Sequence, residues 1–343
     1  MYDVIGDIHG RYDALHALLV TMDYRYSREE HAFYHPCREL IFLGDYLNRG
    51  GQDRPTVRLV KNTCASQKNI RMSEGVEDDA DDAIGGNHER AAVFFHTPDP
   101  KHEGEFLRPH TPKNIKKLQS FLDATKDHPD FLQEALDWFR ERPLFAERGN
   151  FSLVHACWHE VAIELLKSSD ILLPNRGLNA KGWQCAADKT SHYFDPIKML
   201  VVGPHEKLPD DVRYRYGDEM RDMARVAWWN TRPTNLGNAF TRLSPDFEFG
   251  NVLYNPRDKS IQELRTRIQK LKKNVLFGHM ELPGEPAPLT DRIACLDWKG
   301  RVTAYRISDD EMRNPQPLHP EHLVSVLVDK VPSAIHLSAP QWR

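Results

Sequence analysis

The sequence predicts an α/β fold. Three observations carry that expectation. Short apolar runs alternate with stretches of helical periodicity, most of the runs stop abruptly on Asp, Asn or His, and glycines flank those polar ends. With 343 residues the chain is long enough for one large α/β domain or two smaller ones.

Residues 2–7 (YDVIGD) read as a short strand ending on a carboxylate, and Ala14, Leu15, Leu18, Leu19 and Met22 form an apolar stripe on an early helix. Residues 39–45 (ELIFLGD) contain four consecutive apolar residues, the pattern of a strand buried on both faces. Pro55 opens the next helix, with Val57, Val60 and Cys64 facing inward. The acidic stretch 73–83 reads as a solvated surface segment, with Ala83-Ile84 a two-residue strand before GGNHE. Residues 96–130 hold several His and Pro residues with little periodicity and read as an insertion of loops; 131–142 form an amphipathic helix on Leu132, Ala135, Leu136 and Phe139. Another apolar strand, 151–156 (FSLVHA), runs into a histidine, and the polar, irregular stretch 168–225 reads as a second insertion or cap. Ile261, Leu264, Ile268 and Leu271 mark a basic amphipathic helix leading into NVLFGH at 274–279. Segments 292–298 and 301–307 flank Lys299-Gly300 and read as a hairpin. The expected organisation is one domain over residues 1–308, with insertions near 96–130 and 168–225, followed by a Pro-rich tail, 309–343, without predicted structure.

The bulk composition is that of an ordinary soluble globular protein: 40% hydrophobic and 28% charged residues, with a net charge near −4 that points to no nucleic-acid partner. No stretch approaches the ~18 apolar residues of a membrane span. The opening residues lack the basic start and apolar core of a secretory signal, and the five cysteines form no C-x-x-C pair. A reducing, cytoplasmic setting is the expectation.

The chemistry lies in the polar ends of the apolar runs: Asp7 with His9, Asp45, Asn87 with His88, His155, and His279. If those strands are neighbours, Asp7, His9, Asp45, Asn87, His155 and His279 come to one rim as a mixed N/O ligand set, the kind that suits first-row transition metals. Two such ions ~3.5–4 Å apart clamp a phosphate and activate a water for in-line attack.

Five blocks in order, GDIHG at 6–10, GDYLNRG at 44–50, GNHE at 86–89, VHA at 154–156 and FGH at 277–279, resemble the signature of the calcineurin-like metallophosphoesterases. The branch they most resemble is that of the phosphoprotein phosphatases and the bacterial enzymes related to diadenosine tetraphosphatase. The resemblance implies a four-layer α/β sandwich of two mixed sheets flanked by helices. It implies two divalent ions, Mn²⁺ with Fe or Zn as alternatives: Asp7 and His9 on the first, Asn87, His155 and His279 on the second, and Asp45 bridging both. It further implies that His88 protonates the leaving group and that Arg49 binds phosphate oxygens, with Arg225 and Arg232 as candidates for a second arginine. The implied partner is a phosphorylated small molecule, a nucleotide or a phosphoprotein.

One position departs from the family. Where G-D-x-x-D-R-G is common, this chain has Asn48, which brings no negative charge to the catalytic histidine. A less basic His88 is expected, and with it a preference for good leaving groups, as in anhydrides or aryl esters. The same departure motivates an alternative reading: a metal-binding regulator of weak activity that recognises phosphorylated partners. Trp228 and Trp229 read equally as a substrate wall or as core.

Overall fold

The computed structural model describes residues 1–75, 82–216, 219–241, 251–256 and 258–331. Most of the acidic stretch after residue 75 therefore lies outside the described residues.

Two four-stranded mixed sheets form the centre. The first contains β1 (Tyr2–Ile5), β2 (Glu39–Phe42), β7 (Arg301–Arg306) and β8 (Leu323–Leu327), in the order β8-β7-β1-β2. The second contains β3 (Phe145–Arg148), β4 (Phe151–Val154), β5 (Asn274–Phe277) and β6 (Ile293–Cys295), in the order β6-β5-β4-β3. β1 and β2 run parallel, as do β4, β5 and β6, while β7, β8 and β3 pair antiparallel.

Strand alternation builds the layers. Successive side chains point to opposite faces, so Val4, Ile41, Leu43 and Tyr305 of the first sheet meet Ala146, Phe151, Leu153, Leu276 and Ala294 of the second in one buried cluster. Their chain neighbours Ile5, Leu40, Phe42 and Ala304 face the other way, onto a helical layer. That layer comprises α1 (Tyr12–Thr21), α2 (Asp53–Ser73), α4 (Pro112–Thr125) and α5 (Pro129–Arg140), together with part of α3 (Asn87–His96). Phe145, Val154, Val275 and Phe277 of the second sheet pack against α6 (Glu160–Lys167), α8 (Phe194–Val202) and α9 (Lys259–Ile268). The result is the expected helix–sheet–sheet–helix sandwich. Both faces of each sheet are covered, which is why the strands read as continuous apolar runs.

Three expectations change. The segments 292–298 and 301–307 do not pair with each other: β6 lies in the second sheet and β7 in the first, so the chain crosses between sheets at Lys299-Gly300. The alternation that suggested a hairpin is the same for two strands that part. Residues 96–130 contain α4, capped by the Thr111 side chain at Asn114 N and opened by Pro112, and 168–225 contain α7 (Ala180–Ala187) and α8. The tail supplies β8, an edge strand of the first sheet. Trp228 is core: it is fully buried, and its Nε1 donates to Ala156 O at 3.0 Å. No helix among the described residues is long and apolar enough to cross a membrane.

The inter-sheet layer is the part of the core least able to relax. Leu276→Ala should cost about 2–5 kcal/mol in urea unfolding, whereas Val20→Ala on the exposed face of α1 should stay within about 0.5 kcal/mol.

Candidate metal centre

The parallel strands bring their carboxyl ends to one rim, and hydrogen bonds tie the two sheets together there. Asp7 Oδ1, just past β1, accepts from His279 N, just past β5, at 3.0 Å. His155, just past β4, holds its Nδ1 2.7 Å from Leu43 O beyond β2. Since a backbone carbonyl only accepts, His155 Nδ1 carries a proton and Nε2 is turned inward, toward Asp45.

The loops between strand and helix turn sharply. His9, Asp45, Asn48, Arg49 and His279 all have positive φ, between 53° and 74°. This region is disfavoured for residues with a Cβ and costs of order 1 kcal/mol or more each. The strain is concentrated on the residues that converge. Gly44, at φ 100°, leaves no room for a side chain: a Cβ there would lie 2.6 Å from Gly86 N and 3.0 Å from His155 Nδ1.

Two clusters result, and they share Asp45. One holds His9, Asp45 and His88; the other holds Asp45, His155 and His279. Asp45 Oδ2 is 3.8 Å from His9 Nε2 and 3.9 Å from His88 Nε2, while Oδ1 is 3.4 Å from His155 Nε2. Asp7 Oδ2 lies 3.5 Å from His9 Nε2, and Asn87 Oδ1 3.2 Å from His155 Nε2. The other five residues named as ligand candidates thus gather around Asp45, with His88 beside them.

The electrostatics fit cations. Burial, and then Asp297, push the Asp7 carboxyl well above its usual range. Burial alone would raise Asp45 as well, but His155 and His88 hold it well below. His155 is pushed up to about 10: burial opposes its charge, and Asp45 outweighs burial. Asp7 Oδ2 and His9 Nε2 are buried without a hydrogen-bond partner. Buried donor atoms of this kind need a partner, and divalent cations are the partners this donor set accepts.

Three further residues support the site. Glu89 sits at the third position of α3 and closes a capping box with Gly86. Its carboxylate accepts from Gly86 N at 2.9 Å and from Asp45 N and Tyr46 N at 2.8 Å each, clamping two loops. The capping-box pattern in GNHE is the signal that could have found it. Asp297 is buried beside Asp7 and accepts from Glu281 N at 2.6 Å. It ends the run IACLD, the same pattern as the other strand ends, and the hairpin reading hid it. Glu281 pairs with Arg49 at 3.2 Å, holding that guanidinium at the cavity mouth.

Asn48 contacts His88 directly. Its Nδ2 donates to His88 Nδ1 at 2.9 Å, while its Oδ1 accepts from Phe121 N at 3.4 Å. His88 Nδ1 is therefore an acceptor, and the neutral ring carries its proton on Nε2, toward Asp45. Burial lowers the His88 pKa to about 4, against the pull of Asp45 and with Arg49 adding to the depression. The rim opens into a cavity of about 840 Å³, lined there by Asn48, Arg49, Asn87, His88, Arg225 and His279. Arg225, not Arg232, is the arginine of the pair that lines it, and its Nη1 donates to His279 O at 2.8 Å.

The family model described as calcineurin-like phosphoesterase matches residues 2–169, across the first four signature blocks. Over those residues, just under half of its length, the chain is similar to the calcineurin-like phosphoesterases, and it is a hydrolase of phosphate ester or anhydride bonds. Among named proteins it is similar to the symmetrical bis(5'-nucleosyl)-tetraphosphatase of Dechloromonas aromatica, at 29% identity over 90% of this chain and 93% of that one. It is also similar to the protein of the same name from Haemophilus influenzae, at 24% identity over 90% and 94%. Among solved structures, a cold-active protein-tyrosine phosphatase from a psychrophilic Shewanella aligns over 96% of this chain and 78% of its own, at 14% identity and a TM-score of 0.47.

The Glu89 clamp predicts a stability effect separable from chemistry. In Glu89→Gln one acceptor oxygen becomes a donor facing backbone N–H groups, so metal-free protein should lose about 1–3 kcal/mol in urea unfolding. Glu281→Gln, in a half-exposed pair, should lose less than about 1 kcal/mol in the same measurement.

Proposed function

We propose that the chain is a dinuclear metallohydrolase of phosphoanhydrides, with a nucleotide polyphosphate as its substrate class. The observation that carries this reading is the pair of ligand clusters meeting at Asp45 beside an open cavity. Asp7, His9 and Asp45 would hold one ion; Asn87, His155, His279 and Asp45 the other, with Mn²⁺ the first metal to assay. When bound, the ions supply charge neutralisation on phosphate oxygens and an activated water.

The protein's own groups do the rest. Arg49 is positioned to exchange Glu281 for phosphate oxygens, to which its planar fork is matched. His88 directs Nε2 at the same space and delivers a hydrogen bond to the departing oxygen. With Asn48 donating to Nδ1, the doubly protonated ring is disfavoured, so full proton transfer is weak. That favours leaving groups stable as anions, such as a nucleoside phosphate or a phenol. The similarity to the bis(5'-nucleosyl)-tetraphosphatases over nine-tenths of the chain supports the anhydride over the aryl ester. The segments 96–130 and 168–225 act as insertions that wall the cavity. Five free cysteines suit a reducing cytoplasm, where nucleotides are found.

Two experiments test this. Hydrolysis of diadenosine tetraphosphate should stop on chelation, return with Mn²⁺, and fall at least about a hundredfold in Asp45→Asn, because that carboxylate serves both ions and each ion stabilises the transition state by several kcal/mol. Hydrolysis that is indifferent to chelation would refute the reading. Asn48→Asp should raise kcat for alkyl phosphates relative to p-nitrophenyl phosphate across a leaving-group series; a parallel change for all leaving groups would remove the role given to Asn48.

A further inference from the structure

The cavity carries more positive charge than one phosphate requires. Among the described residues, seven Lys and Arg side chains line it and no Asp or Glu does. Some of those charges are matched: Arg49 by Glu281 at 3.2 Å, and Arg221 by Glu219 at 3.1 Å.

Arg90, Arg108 and Lys117 form a distinct group. Arg90 lies on α3, two residues beyond His88, and lines the same cavity. Arg108 is anchored beside it, its N–H donating to Phe94 O of the same helix at 3.1 Å. Lys117 faces them from α4. Arg90 Nη1 and Arg108 Nε are buried and make no hydrogen bond. Burial lowers the Arg90 pKa to about 10, and the Arg108 charge depresses it further; Lys117 is lowered by burial and then by Arg108. Gathering like charges without an acid among them is unfavourable in the free protein. It becomes favourable when a polyanion lies between them, where each cation gains a charge-assisted hydrogen bond.

We propose that Arg90, Arg108 and Lys117 form a second anion subsite, which holds the phosphates of a polyphosphate chain that are not being cleaved while the scissile group sits at Asp45. This rests on the functional reading above and adds the specificity element to it. The subsite selects in-line phosphates over a single phosphomonoester through binding rather than chemistry. The bulk charge of −4 hides it, because the seven cations converge only in the folded chain.

The test compares the Mn²⁺-loaded unmodified chain with Arg108→Gln/Lys117→Gln on diadenosine tetraphosphate, inorganic tripolyphosphate and p-nitrophenyl phosphate. The kcat/KM ratio of diadenosine tetraphosphate over p-nitrophenyl phosphate should fall about tenfold or more, through KM, since a lost charge-assisted hydrogen bond is worth roughly that factor. Tripolyphosphate should weaken in parallel, which places recognition on the phosphates. An unchanged ratio overturns the subsite, as does equal loss on all three compounds or a loss confined to the nucleotide. A doubly phosphorylated peptide that loses more than tripolyphosphate also overturns it. Lys117→Gln alone, at an exposed position, should show the same direction if the double variant does not fold. If the unmodified chain hydrolyses none of the three, the functional reading fails by itself. The subsite is then judged by calorimetry: tripolyphosphate should bind the Mn²⁺-loaded chain at least about tenfold more tightly than orthophosphate and weaken in the double variant, and equal affinities overturn it.

Discussion

The Asp45 carboxylate stands between the imidazoles of His9 and His155, 3.8 Å from one and 3.4 Å from the other, with no exposure to solvent to speak of. A buried carboxylate in that position is tolerable only if its charge is answered from several directions at once. The surroundings answer it in two ways. His155 is held with its Nδ1 on Leu43 O, so that Nε2 faces inward, and Asp45 Oδ1 accepts the backbone N–H of His88 at 2.9 Å. Around this arrangement the loops take left-handed turns that they would otherwise avoid, and Glu89 fixes two of them by accepting three backbone N–H groups.

The sandwich exists to hold that constraint. Each sheet contributes strand ends to the same rim, and the inter-sheet layer of Val4, Ile41, Leu153 and Leu276 sets their separation. Because close-packed interiors deform little, small shifts in this layer would be felt at the rim. The two sheets are also joined directly there, through Asp7 to His279 and His155 to Leu43. Stability and chemistry therefore draw on the same residues, several of which hold left-handed backbone.

In the proposed reaction Asn48 and the cationic cavity act on different steps. Asn48 sets the protonation pattern of His88 and so bears on which leaving group can depart. The cations of α3, the following loop and α4 bear on which substrates reside long enough to react. Both point toward chains of phosphate, whose leaving groups are stable anions and whose remaining charges need company. A phosphoserine offers neither feature.

The local patterns were enough to identify the apolar strands, most of the helices flanking them and the candidate ligands Asp7 to His279 that the fold brings together, because a strand end that turns on Gly and stops on Asp or His is written in contiguous residues. Asp297 follows the same rule, but its run was assigned to a hairpin with 301–307; alternation tells which face a side chain takes and says nothing about which strand lies alongside. Strand partners, and with them the crossing between sheets at Lys299-Gly300 and the place of β8, were decided by tertiary packing. So were the contacts that distinguish this site: the Asn48 amide, oriented by the Phe121 N–H 73 residues away, and the meeting of Arg90, Arg108 and Lys117. Ligand identity is a property of short segments, whereas amide orientation, pairing and electrostatic potential depend on groups far apart in the chain, which only the folded structure brings within reach.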